Sequence, residues 1–290
     1  MIAKNNGSGR SLHDGTLKDR VIRYVMDRKC VSGGFCFYKL EEPNGSDTWH
    51  ALSILDLLKV TFEDAATVAY LKGMQRSDGS FDSIYAAYFA IKSLALLGET
   101  PSLDPRPYAM GNLDHYRFDV ERLPAEVISM FRRTSYLVEL YGVLGMDTDG
   151  PLRDNMVDFI LGFQNEDGGF GHLFSTLLDT ARALAMLKSL GRPIGELGTE
   201  RFIRLCEVPF YGFTDIPRTT LSFLEYVHAG VLASYLVARR PTYRDPCEAY
   251  ILNCRTRNGG FSRTMQGGIA TLENTWHAVH ALTMLSSWME

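Results

Sequence analysis

The sequence predicts an all-α fold in which helix pairs repeat around a closed ring. Three observations carry this prediction. A Gly-Gly-Phe turn followed by an apolar helix recurs along the chain, as SGGF from Ser32, DGSF from Asp78, DGGF from Asp167 and NGGF from Asn258, with a shorter Tyr211–Phe213 version before the last. The helices behind these turns begin about 39 to 49 residues apart, the size of one helix pair. The 290 residues are 46% apolar, enough for a large core, yet no apolar run reaches membrane-spanning length.

Each element follows from local spacing. Leu17, Val21, Ile22, Val25 and Met26 recur at helical intervals, so Thr16–Cys30 reads as an amphipathic outer helix. Residues 1–15 before it are polar and Gly/Ser-rich, a flexible lead-in without the apolar segment of a signal peptide. Residues 16–290 then read as one domain. After Gly33-Gly34-Phe35, Asp47 stands where it can cap an inner helix running to about Lys59. The second unit places Phe62–Met74 outside and Tyr85–Gly98 inside, with Gly98 as a C-cap glycine. Glu99–Pro124, rich in Pro, Gly and Asp, has no period and reads as a degenerate third outer element. Its inner partner spans about Ala125–Gly145. The remaining units pair Leu152–Phe163 with Asp179–Leu190, Thr199–Cys206 with Ser222–Ala238, and Pro246–Asn253 with the last helix of the chain.

Laid in one register, the inner helices begin with Asp47, Ala86, Thr134, Asp179, Glu225 and Asn274. Two positions later stand Trp49, Tyr88, Tyr136, Ala181, Val227 and Trp276, and three positions later His50, Phe89, Leu137, Arg182, His228 and His277. The fifth position holds Ala51, Ala90, Val138, Ala183, Ala229 and Ala278, small residues that let helices approach closely. Asp47, Thr134, Asp179 and Asn274 are good N-cap residues, which accounts for them without chemistry. Alternatively, Asp47, Asp179 and Glu225 share a mouth with His50, His228 and His277.

Composition excludes several classes. A net charge of −4 with interspersed signs offers no basic stripe for nucleic acid and no polybasic membrane anchor. Five cysteines without a CxxC pair suit free thiols in a reducing cytoplasm. If each outer helix returns the chain, the inner helices run parallel and their N-termini converge. Such a mouth is electropositive and suits a phosphate or diphosphate, while aromatic walls below it suit an apolar tail.

The motifs Arg76–Phe81, Asn165–Gly171 and Arg257–Phe261, with the aligned inner-helix starts, resemble those of the prenyltransferase and squalene-cyclase repeat superfamily. The resemblance covers nearly the whole chain and is closer to the β subunit of protein prenyltransferases than to a two-domain triterpene cyclase. It implies an α6–α6 toroid with a hydrophobic central cavity that takes an isoprenoid. Protein prenyltransferases of the family hold a catalytic zinc, and the cofactor here is left open between zinc, magnesium and none, because the positions of the usual Asp, Cys and His ligands hold Glu225, Val227 and Asn274. Glu225, His228 and His277 remain as weak metal candidates. Arg133, three residues before Tyr136, matches an isoprenoid-contacting pair of the family. The cyclase motif Asp-x-Asp-Asp has its nearest counterpart in Asp147-Thr148-Asp149-Gly150, which lacks the final acid.

The functional expectation is therefore an isoprenoid-binding protein catalysing prenyl transfer or a related carbocation reaction without the usual zinc site. Arg133 and Arg182 hold the diphosphate, Trp49, His50, Tyr88, Tyr136 and Trp276 shape the chain pocket, and Glu225, His228, His277 and Asp179 supply proton chemistry. Two alternatives stand beside it: a non-catalytic lipid-binding or interaction toroid, and a terpene cyclase using Asp179 or Glu225 as an unfamiliar acid. The outer helices, whose exposed faces mix charged and apolar residues, leave open a helical partner subunit.

Overall fold

The computed structural model describes residues 15–38, 42–113, 124–146 and 150–288. In chain order these contain α1 (Gly15–Met26), α2 (Gly45–Leu57), α3 (Ala65–Gly73), α4 (Ile84–Leu96), α5 (Arg106–Leu113) and α6 (Pro124–Val143). They continue with α7 (Pro151–Leu161), α8 (Leu177–Ser189), α9 (Thr199–Leu205), the two-residue strands β1 (Glu207–Val208) and β2 (Gly212–Phe213), α10 (Leu224–Leu236), α11 (Arg244–Asn253) and α12 (Leu272–Ser286). The even-numbered helices pack in a closed circle, α2 on α4, α4 on α6, and so on to α12, which returns to α2. Each odd-numbered helix packs outside the even-numbered helix that follows it. The structure is thus an all-α toroid of six inner and six outer helices. The third outer element is the short α5, and the lead-in at 1–14 and the acidic residues at 147–149 lie outside the described residues.

The repeated turn is held by one device. In units one, four and six, the buried backbone N–H of Phe35, Phe170 and Phe261 donates to the hydroxyl of Thr48, Thr180 and Thr275, at 3.0, 2.9 and 3.1 Å. These threonines, at the second register position, tie each turn to its own inner helix, and the Phe rings are fully buried. The glycines follow from backbone geometry and space: Gly33, Gly168 and Gly259 have φ of +96°, +87° and +96°, and a Cβ on each would fall within 2.6 Å of backbone carbonyl atoms of the next outer helix or its lead-in.

Two expectations about the inner helices are corrected. The caps are Asn44, Ser83, Thr176 and Thr271, which accept from the N–H of Asp47, Ala86, Asp179 and Asn274 three residues later. Asp47, Asp179 and Asn274 therefore sit at the third helical position. Thr134 is in the middle of α6, where its hydroxyl donates to Met130 O at 2.8 Å. The register also slips by one residue on two helices. The cap of α10 is Phe223, so Tyr226 rather than Glu225 is equivalent to Asp47, and the cavity-facing residues of α6, Ser135, Tyr136 and Glu139, place Arg133 at that position. In the corrected register the small fifth position reads Ala51, Ala90, Leu137, Ala183, Gly230 and Ala278. Gly230 fits the pattern because a Cβ there would lie 2.2 Å from the Phe213 ring.

Candidate functional site in the central cavity

The inner helices enclose a cavity of about 290 Å³. Its wall follows helical periodicity: Ser46, Trp49 and His50 from α2, Tyr85, Tyr88 and Phe89 from α4, Leu178, Ala181, Arg182 and Ala185 from α8, and Glu273, Trp276 and His277 from α12. Equivalent positions touch across neighbouring helices, as Trp49 does with Tyr88 at 6.1 Å and with Trp276 at 5.1 Å between ring centroids. Such matching shows that the inner helices run parallel and level.

On the side formed by α2, α10 and α12 the polar groups are imidazoles. His50 Nδ1–H donates to Ser46 O at 2.8 Å, which leaves Nε2 as the acceptor in the neutral ring. His228 Nε2 and His280 Nδ1 share a hydrogen bond of 3.0 Å, and His277 stacks on His228 with centroids 4.7 Å apart. Nδ1 of His277 is buried with no hydrogen-bond partner. Burial holds all four rings neutral. It lowers His50 and His280 to about 4, with a further push from the Lys92 charge, lowers His277 to about 3, and takes His228 well below its ordinary value. Trp276 is fixed by donation from Nε1 to Ser53 Oγ at 2.9 Å.

On the side formed by α4 and α6 the polar groups are an ion pair and a phenol. Lys92 Nζ pairs with Glu139 Oε2 and also donates to Tyr88 OH at 3.1 Å, while Tyr88 OH donates to the same Oε2 at 2.9 Å. The ammonium lies over the rings of Trp49 and Tyr88, 4.9 and 4.8 Å from their centroids. Burial, and then the Glu139 charge, raises the Tyr88 hydroxyl well above its ordinary value.

The mouth differs from the electropositive expectation. The helix N–H groups are largely taken: Asp215 accepts from Leu177 and Leu178 of α8, and Arg263 O accepts from Leu224 of α10. Asp179 is bound by Arg182 at 3.0 Å and Glu225 by Arg263 at 2.5 Å. Glu273 at the rim has its carboxyl raised by desolvation, then by the charges of Glu225 and Asp47.

Several sequence candidates thus meet in one cavity: Trp49, His50, Tyr88, Tyr136, Arg182, His228, Trp276 and His277. Others do not. Arg133 turns outward and donates to Asn112 Oδ1 at 2.6 Å, because the slip on α6 carries it off the cavity face. Glu225 is a partner of Arg263 rather than a cavity-lining acid, and Asp179 borders a small side void beside His172. Lys92, Glu139 and His280 were missed. Lys92 and His280 lie one helical turn below the aromatic and histidine positions, so extending the stripe by i+3 and i+4 would have found them. Glu139 was hidden by the same slip.

The profile of the prenyltransferase alpha-alpha toroid domain family matches residues 8–86 and 129–289. The chain belongs to this family. No curated protein matches the sequence. Among solved structures, the chain is similar to Candida albicans protein geranylgeranyltransferase-I complexed with GGPP, with 16% identity over 83% of each chain and a TM-score of 0.63. It is also similar to a variant of the type II terpene cyclase MstE from Scytonema in complex with geranylgeranyl dihydroxybenzoate (11% identity, 94% and 97% coverage, TM-score 0.61). A protein from Actinoplanes gives 15% identity, 94% and 99% coverage and a TM-score of 0.56. At these identities the likeness shows the toroid fold, and no more.

The residues at the family's metal positions do not fit a zinc ion. Val227 has no donor atom and is fully buried, Glu225 is engaged by Arg263, and Asn274 offers only an amide. The corrected register replaces Glu225 and Val227 with Tyr226 and His228, and His228 is committed to His280. Among the described residues no three His, Cys, Asp or Glu side chains are arranged to hold a metal ion. All five cysteines are buried, and none of them is in a disulfide. No described helix is long and apolar enough to cross a membrane.

Proposed function

We propose that this toroid binds an isoprenoid in its central cavity and carries out prenyl transfer or a related carbocation reaction there, in the cytoplasm. The supporting observation is the wall itself: Phe89, Tyr136 and Trp276 surround a lumen from which Lys92 has taken the nearby faces of Trp49 and Tyr88. Aromatic faces attract a cationic intermediate without trapping it covalently. Arg182, on the same wall, is the group in place for an anionic head, since guanidinium pairs bidentately with phosphate. His277 and His50, both neutral, are in place to accept a proton. Native mass spectrometry with farnesyl and geranylgeranyl diphosphate tests the reading. Stoichiometric retention of either, with diphosphate released on turnover, is expected; a toroid that ignores both is a lipid-binding or interaction module instead.

Glu273, which lines the cavity at its rim and has its carboxyl raised by desolvation, favours a second reading, in which it is the acid that starts an olefin cyclisation. That reaction yields a cyclised product with no release of diphosphate, so the phosphate assay separates the two.

A further inference from the structure

The Lys92–Glu139–Tyr88 cluster has hydrogen-bonding capacity left over; Tyr88 and Glu139 line the lumen, and the Lys92 ammonium lies against the lining rings of Trp49 and Tyr88. Glu139 Oε2 accepts from both Lys92 and Tyr88, whereas Oε1 has no hydrogen-bond partner among the described residues, although Glu139 lines the cavity. Lys92 has three N–H donors, of which Glu139 and Tyr88 take two. One acceptor and one donor therefore remain side by side. The pair is close to neutral overall, so a second carboxylate would be repelled by Glu139 and an ammonium by Lys92. A hydroxyl satisfies both groups, donating to Oε1 and accepting from Nζ, as Tyr88 OH already does on the other side. The rings of Phe89 and Tyr136 line the same cavity and offer flat faces on which a planar aromatic ring can stack.

From this we infer that the cavity recognises a hydroxylated aromatic compound, a phenol, with its hydroxyl between Glu139 and Lys92. The inference rests on the isoprenoid reading only in taking the central cavity as the ligand site, and it names the class of the second substrate. Glu139 lies one register turn below the level of Arg182 on the neighbouring helix, about 4.5 Å deeper. A phenol held there lies beneath a head group held by Arg182. A small aromatic acceptor is favoured over a protein chain, because the hydroxyl site lies a helical turn deeper than the Arg182 level rather than at the helix starts that form the mouth.

Titration calorimetry on the intact protein tests this with 2-naphthol and 2-methoxynaphthalene, which share a ring system and differ in the hydroxyl donor. Wild type is expected to bind the naphthol about tenfold tighter or more, the worth of a charge-assisted hydrogen bond. The double variant Lys92→Met/Glu139→Leu removes both charges together, and should bind the methoxy compound as before while losing the preference. Glu139→Gln, which keeps the side-chain shape, should reduce the preference to about threefold or less. Equal affinities in wild type, a preference that survives in the double variant, or a full tenfold preference in Glu139→Gln overturns the inference. Farnesyl diphosphate titrated into the same sample addresses the isoprenoid reading separately. A naphthol preference without diphosphate binding supports the phenol site and sinks that reading, and the reverse result sinks the phenol site alone.

Discussion

Four imidazoles on α2, α10 and α12 face a lysine, a glutamate and a tyrosine on α4 and α6 across one cavity, and the two sides bury their polar groups by different means. His50 bonds to backbone, His228 and His280 bond to each other and His277 stacks on His228, with desolvation keeping all four uncharged. Lys92 and Glu139 keep their charges and hold each other. The first arrangement depends on solvent pH, whereas the second depends on both partners being present. The cavity can therefore be disturbed on either side independently.

The largest expected effect is on the histidine side. An unfolded histidine titrates near 6.5 while His50 and His280 fold at about 4. Below 6.5 the unfolded chain binds more protons than the folded one, so stability is complete above 6.5 and is lost as pH falls towards 4. At pH 5 each of these residues should cost about 2 kcal/mol. Urea unfolding from pH 7.5 to 5 checks this, and His280→Gln should flatten the slope; a curve indifferent to pH would show that these rings are not buried neutral.

Breaking the other side by Glu139→Leu leaves a nearly buried ammonium without its partner and should cost about 3 kcal/mol of unfolding free energy at neutral pH. Removing both charges with Lys92→Met/Glu139→Leu should return stability to within about 1 kcal/mol of wild type. If the single and double variants unfold alike, the pair contributes no such coupling.

A smaller effect sharpens the contrast between two arginines. Arg182→Ala should weaken prenyl diphosphate binding by about 2 kcal/mol, whereas Arg133→Ala, which loses an outward bond to Asn112, should leave it within about twofold. Calorimetry that ranks them the other way would move the head group away from α8.

The fold was legible because its signals are periodic and local. Gly-Gly-Phe turns, helical spacing and the repeated Thr-Trp-His triplets, Thr48-Trp49-His50 and Thr275-Trp276-His277, located the ring and its first and last inner helices. The site was legible where a clear cap fixed the register, as it did for Trp49, Tyr88, Arg182 and Trp276. It failed on α6 and α10. No polar side chain caps α10, so nothing in the sequence marked its start, and Glu225 was aligned one residue early. The same kind of slip on α6 promoted Arg133 and concealed Glu139. Pairing between neighbouring inner helices was beyond reach, because Lys92 and Glu139 lie 47 residues apart and meet only once α6 packs on α4.

The turns lean in a consistent direction around the ring. Gly33 packs against α3, Gly168 against the start of α9 and Gly212 against α11, while Gly259 packs against Arg20 of α1, the first helix of the chain. These four repeats are therefore braced by their successors, and the last is braced by the first. Linear repeat arrays nucleate anywhere, grow outward and need terminal units that tolerate solvent. This molecule has no such end: the bond from Trp276 to Ser53 joins residues 223 apart in sequence. The entropy of that long loop must be met before the final interface can reward it. Ring closure should thus be a late and slow step in refolding, and intermediates that lack it expose the apolar faces of α2 and α12 together.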